Sequence, residues 1–166
     1  MTGKVTIRSA TIEDSKMLTR IYNYYVLNTT VTFEEEKIKP EEMTDRIQEV
    51  KNAGLPWLVA ETGSRILGYA YATKWKGRCA YRFSVESTVY VDPDKKGRGV
   101  GSGLYAELFR ILKENGIHAV IGGIALPNEA SIALHEKFEM TKVAHFTEVG
   151  YKFDKWIDVG YWQRIL

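Results

Sequence analysis

The groups able to do chemistry crowd into residues 86–104, which read E-S-T-V-Y-V-D-P-D-K-K-G-R-G-V-G-S-G-L. Glu86 supplies a carboxylate, which can take a proton from an ammonium group directly or through one water. Lys96, Gly97, Arg98, Gly99, Val100, Gly101 and Ser102 form a basic, glycine-rich turn that runs straight into an amphipathic pattern. Strand, glycine turn and helix N-terminus in that order gather bare backbone N–H groups, and the helix dipole there favours negative charge. The ligand that suits such a place carries phosphates. The bland alternative is a flexible loop with a solvated basic face.

Spacing narrows the choice of ligand. A P-loop requires Lys-Ser/Thr after its last glycine, and neither follows here. A dinucleotide fingerprint requires G-x-G-x-x-G early in a βαβ unit, with an acid about 20 residues on. Gly97, Gly99 and Gly101 recur at every second residue and lie past the middle of the chain. Neither nucleotide motif fits.

Periodicity shows which elements must position these groups. Ser84 to Val91 is rich in β-branched and aromatic residues and reads as a strand, ended by Asp92-Pro93-Asp94. Alternation puts Glu86, Thr88 and Tyr90 on one face, opposite Val85, Val89 and Val91. After the glycine turn, Val100, Leu104, Leu108, Ile111 and Leu112 make one helical face, closed by Gly116. Upstream, the pattern predicts a strand over 5–8, a helix over 13–27 with Thr11 as N-cap, and an extended piece at 31–33. A second helix over 40–52 and a hairpin of 57–61 with 66–74 follow. Downstream come a strand over 119–124, a helix over 130–138 and strands near 141–149 and 157–164. This order implies an α/β fold with a mixed, mostly antiparallel central sheet and helices on both faces. With no repeat or linker, one domain over residues 1–166 is expected.

Composition excludes other classes. An apolar fraction of 45% and a charged fraction of 27% are ordinary for a soluble domain. A net charge of +2 is too small for a nucleic-acid footprint. Cys79 is the only cysteine, and His118, His135 and His145 lack metal-ligand spacing, so no disulfide and no metal are expected. The first ten residues lack the apolar core of a signal peptide, and no run approaches membrane-spanning length. The expected setting is cytoplasmic, without membrane partners.

Lys96-x-x-Gly99-x-Gly101 resembles the pyrophosphate loop of the GNAT acetyltransferases, which hold acetyl-CoA, and the order of elements is similar to that of their fold. Within that superfamily, several segments resemble the phosphinothricin acetyltransferase family. They are Ile21-Tyr22-Asn23, Thr32-Phe33, the strand from Val85 to Val91 and Leu134-His135-Glu136. The ending matches too, through Gly150-Tyr151-Lys152, Trp156-x-Asp158-Val159-Gly160 and Trp162-Gln163. Members of that family acetylate the amino group of phosphinothricin, and related ones that of methionine sulfoximine or methionine sulfone.

The resemblance implies roles residue by residue. It makes Glu86 the general base, where the residues alone leave open an ion pair with Arg78 or Arg82, or plain solvation. It implies that the backbone of Val89, Tyr90 and Val91 pairs with pantetheine like an added strand and that N–H groups here steady the thioester oxyanion. Asn128 would hold the pantetheine arm with Ser131 beside it, and as N-cap it has a structural role besides. His135 stands where the superfamily usually has a tyrosine that protonates the departing thiolate. An imidazolium there would donate that proton, whereas a neutral imidazole would orient the substrate. Arg78 and Arg82 match family arginines and suit an amino-acid carboxylate, with Phe33 and Trp75 as pocket walls. Ordinary surface charges and core aromatics are the alternative for these four.

Glu139-Met140 replaces the Gly-aromatic pair usual after this helix, so a different helix exit and a reshaped substrate edge are expected. Other acceptors remain open, namely a protein N-terminus, a polyamine or an aminoglycoside, as does a non-catalytic CoA sensor. The family pairs through its C-terminal strands, and Tyr151, Phe153, Trp156, Tyr161 and Trp162 suit the homodimer this implies.

Overall fold

The computed structural model describes residues 4–166. Seven strands form one sheet: β1 (Thr6–Ser9), β2 (Trp57–Thr62), β3 (Arg65–Lys74), β4 (Ser84–Val91), β5 (Ala119–Ala125), β6 (Thr141–Lys152) and β7 (Lys155–Ile165). Their spatial order is β1-β2-β3-β4-β5-β7-β6, and only the β4–β5 pair is parallel. The helices are α1 (Ser15–Asn28), α2 (Pro40–Asn52), α3 (Val100–Glu114) and α4 (Glu129–Lys137).

Strand alternation divides the apolar residues between two cores, as the period of two requires. Val85 and Val120 pack with Leu104, Leu108 and Leu112 of α3 on one face. Tyr69 and Tyr90 pack with Leu18 and Ile21 of α1 and Met43 and Ile47 of α2 on the other. Each fully buried aliphatic side chain contributes about 1.5–3 kcal/mol, so both faces are anchored independently of the loops.

One irregularity matters for function. β4 pairs with β5 only through Ser84–Glu86 against Ala119–Ile121. Beyond that the strands part, because β5 stays with β7 along Ala119–Ala125 while β4 stays with β3. The β5-side edge of residues 87–91 is therefore not paired within the sheet.

Several local expectations are corrected. Residues 31 and 32 form bends and 33 no regular structure, rather than an extended strand. Thr11 is the N-cap expected, but of a short 3-10 turn that precedes α1. Its N–H donates to Asp14 Oδ2 at 2.8 Å, one half of a capping box over Ile12–Asp14. The exit of α4 is also not the altered one expected. Glu139 itself takes the left-handed conformation at φ 60°, and Met140 turns into the core.

Candidate active site

The glycine turn builds one end of a cavity of about 800 Å³. Gly97 and Gly99 hold φ of 74° and 76°, which side-chain-bearing residues rarely adopt, and Gly99 leads directly into α3. A Cβ at either glycine would meet no atom within 4 Å, so the requirement is on the backbone and not on space. The first turn of α3 leaves its N–H groups free for a ligand. Lys95, Lys96, Gly97, Gly99, Val100, Gly101 and Ser102 line this end. Lys137 of α4 also reaches it, donating to Ser102 Oγ at 3.1 Å. That cation was invisible locally, since it comes from another helix. Arg98 is exposed and does not line the cavity, a departure from expectation: its side chain leaves toward solvent between the two left-handed glycines.

From the turn, the cavity follows the unpaired edge of Val89, Tyr90 and Val91 to Asn128 and Ser131 at the start of α4. Asn128 Oδ1 accepts from the Ser131 N–H at 3.1 Å, so it caps its helix and lines the cavity at once. An anion site, an extended apolar run and a free strand edge in series fit a long ligand with phosphates at one end and amides along its arm. The residues present fit acetyl-CoA on these grounds.

Where β4 and β5 part, a narrow slot of about 60 Å³ penetrates the sheet, bordered by Ser87–Tyr90, Gly123–Ala125, Val31 and His135. Glu86 and His135 lie on opposite faces of the sheet. A Cβ on Gly122 would be 2.4 Å from His135 Nε2, whereas one on the next residue, Gly123, would be 3.3 Å from Glu86 Oε1. Consecutive strand residues point to opposite faces.

His135 is 3% exposed, and burial pushes its imidazole below the ordinary histidine range. Its Nδ1–H donates to the Ser131 carbonyl at 2.7 Å, so neutral Nε2 is left to accept from the Tyr105 hydroxyl at 3.2 Å. Tyr105 and Ser87 share a further hydrogen bond at 3.3 Å. This chain runs toward the histidine. Of the two roles expected for His135, this geometry suits the neutral imidazole, with Nε2 facing the Tyr105 hydroxyl behind the slot.

Glu86 sits on the α1–α2 face, across from Thr73 of β3. Burial raises its carboxyl above the ordinary range, opposed by the charge of Lys76. Tyr161 of β7 adjoins it, since the Gly123 position that approaches Glu86 lies 3.1 Å from the Tyr161 ring. Trp75 meets Tyr161 edge-on at 5.7 Å and thus joins this cluster. Lys76 and Tyr161 had no local signal, because strand pairing alone brings them to Glu86.

Arg78 and Arg82 are not gathered around Glu86. Both are exposed, and Arg82 turns back on its own loop, donating to the Cys79 carbonyl at 3.2 Å with its guanidinium over Phe83. They flank the 3-10 turn at Cys79–Tyr81 as its N-cap and C-cap residues. Phe33 packs on Gly150 at the hairpin β6–β7 and not on the carboxylate.

Residues 7–160 match the family described as Acetyltransferase (GNAT) domain. The chain is 41% identical over 160 residues to a phosphinothricin N-acetyltransferase of Streptomyces viridochromogenes, covering 96% of this chain and 87% of that one. It is 33% identical over 159 residues to an L-methionine sulfoximine/L-methionine sulfone acetyltransferase of Salmonella typhimurium, covering 96% and 93%. In structure it is similar, with a TM-score of 0.94 and 34% identity, to a GNAT superfamily phosphinothricin acetyltransferase of Sinorhizobium meliloti in complex with AcCoA, over 98% of this chain and 88% of that one. With its glycine turn, free strand edge and slot in a GNAT sheet, the chain belongs to the GNAT acetyltransferase family.

Proposed function

We propose that the chain acetylates the amino group of a small amino acid or close analogue, such as phosphinothricin, methionine sulfoximine or methionine sulfone. Acetyl-CoA supplies the activated acetyl group as a thioester. The glycine turn, Lys96 and Lys137 hold its phosphates, and Val89–Val91 with Asn128 hold its arm. Glu86 accepts the proton of the acceptor's ammonium, freeing the amine lone pair beside the slot. One observation carries this reading. Glu86 is half-buried beside Tyr161 and Gly123 and has no ion-pair partner among the described residues, and burial raises its carboxyl, which suits a base better than half of a structural ion pair. Lys76 also suits the acceptor's carboxylate. His135 keeps Tyr105 and Ser87 in place at the slot.

The test is CoA release from acetyl-CoA with a panel of phosphinothricin, methionine sulfoximine, methionine sulfone, ordinary amino acids and polyamines. Turnover with the polyamines alone would overturn the acceptor class. We further propose a homodimer through β6 and β7. β6 is a sheet edge, and Val143, Phe146, Val149, Tyr151 and Trp156 of this hairpin are exposed, Trp156 by 63%. An apolar patch of that extent suits a partner. A monomeric mass by light scattering at micromolar concentration would refute it.

A further inference from the structure

The loop between α1 and α2 forms a strap, residues 29–36, that is fixed from the far end of the chain. Lys152, beside the tip of the β6–β7 hairpin, is 1% exposed, and its Nζ donates to the Thr32 carbonyl at 2.8 Å. An ammonium is costly to bury without compensation. Burial pushes the Lys152 ammonium below the ordinary lysine range, opposed by the charges of Glu35 and Glu34, while Thr32 O accepts from it and the Phe153 ring lies 5.0 Å away. Two residues earlier, Gly150 makes room for Phe33, since a Cβ there would come within 2.4 Å of that ring. From its inner side the strap is held by Thr32 Oγ1 sharing a hydrogen bond with Tyr22 at 2.8 Å, and by the Glu34–Arg46 ion pair. The strap so held contributes Thr29, Thr30 and Val31 to the wall of the large cavity. Val31 also borders the slot, and Phe153 adds the hairpin tip to the same wall.

We propose that Lys152 is a positioning residue for acetyl transfer: through the Thr32 carbonyl it sets the strap against the cavity, and so sets how tightly acetyl-CoA is held. The proposal rests on the acetyl-CoA reading above. A purely stabilising role would leave a different trace: losing the Lys152 donor would orphan the buried Thr32 carbonyl and lower the melting temperature, with acetyl-CoA affinity of the folded chain unchanged.

The experiment compares the purified full chain with Lys152→Met, Lys152→Arg and Gly150→Ala. Acetyl-CoA alone is titrated by calorimetry, steady-state rates are taken with methionine sulfone as acceptor, and melting temperatures are recorded. Lys152→Met should bind acetyl-CoA about tenfold more weakly, as the loss of one charged hydrogen bond implies. Its KM for acetyl-CoA should rise likewise while kcat stays within about threefold, the pattern of lost uniform binding. Its melting temperature should fall somewhat as the Thr32 carbonyl loses its donor, so affinity is read well below that temperature, where the chain is folded, and Lys152→Arg should recover most of it. Gly150→Ala pushes Phe33 and the strap from another side, so it should weaken acetyl-CoA binding while Lys152 is intact. Wild-type affinity in folded Lys152→Met, or a loss that Lys152→Arg does not recover, would overturn the proposal. Should Lys152→Met fail to fold, undiminished affinity in Gly150→Ala would overturn it. No binding by the wild-type chain would instead overturn the acetyl-CoA reading beneath it.

Discussion

The two halves of the site are made of different materials. The cofactor half is mainly backbone: two left-handed glycines, the first turn of α3 and the unpaired edge of Val89–Val91. The acceptor half is side chains brought together by strand pairing, with Glu86 from β4, Tyr161 from β7 and Trp75 and Lys76 from the connection after β3. A half built mainly of backbone, with lysines only around it, should respond first to changes in conformation. A half built from side chains should respond to single charges and leave cofactor affinity alone.

The largest expected effect tests that separation directly. Glu86→Gln should lower kcat by about 10²–10⁴-fold, the usual contribution of a positioned general base, with acetyl-CoA affinity unchanged. If calorimetry showed affinity falling along with rate, the halves would not be separable. The same substitution should raise the melting temperature at pH 8. A carboxyl whose folded pKa lies above its unfolded value of 4.5 binds its proton more tightly when folded. Stability therefore falls as pH rises from about 4.5 through the raised folded value, and glutamine removes that cost. Activity and stability thus pull against each other at this residue.

Gly99→Ala probes the other half. No neighbour obstructs the added methyl, so the cost is the left-handed backbone, about 1–2 kcal/mol for a residue with a Cβ. Expressed through a distorted turn, this weakens acetyl-CoA binding by about tenfold. Rates at saturating acetyl-CoA should stay near wild type. A fall in saturated kcat would mean that the turn also shapes the acceptor half.

A smaller effect concerns pH. The rate should rise with pH as Glu86 loses its proton, and Lys76→Met should shift that acid limb to higher pH, since the Lys76 charge lowers the carboxyl's pKa. The kcat profile should show no descending limb from His135, which burial keeps neutral. A limb in kcat that vanished in His135→Asn would restore the histidine as an acid.

The same division explains what could be read from sequence. The cofactor half depends on residues within a few positions of one another, so the Gly99 and Gly101 spacing and the strand before it disclosed it almost whole. The alternation of β4 correctly placed Glu86 on the face away from the valines, because a period of two leaves no other choice. Lys76, Tyr161 and Lys137 were not legible, since each is brought in by pairing or packing with a separate element. Arg78 and Arg82 had suitable chemistry at a suitable distance along the chain, but both are exposed and Arg82 binds its own loop. His135 shared the expected face with Asn128 and Ser131, yet its protonation depends on burial and on the Ser131 carbonyl, which no spacing reveals.

The smallest prediction lies where a departure from the family pattern looked most consequential. Glu139 keeps the left-handed exit that a glycine would give α4, and Arg164 spans the place by pairing with its carboxylate at 2.7 Å and donating to the Phe138 carbonyl at 3.0 Å. A residue with a Cβ at that φ is strained by about 1 kcal/mol, while an ion pair with a mostly exposed glutamate returns little. Glu139→Gly should therefore stabilise the fold by about 0.5–1 kcal/mol, read as a higher denaturation midpoint with an unchanged slope. Its kcat/KM with any acceptor should not move, because this exit lies at the α3 face, across the sheet from Glu86. A change in acceptor preference on that substitution would show that the end of α4 reaches the acceptor half by a route other than direct contact.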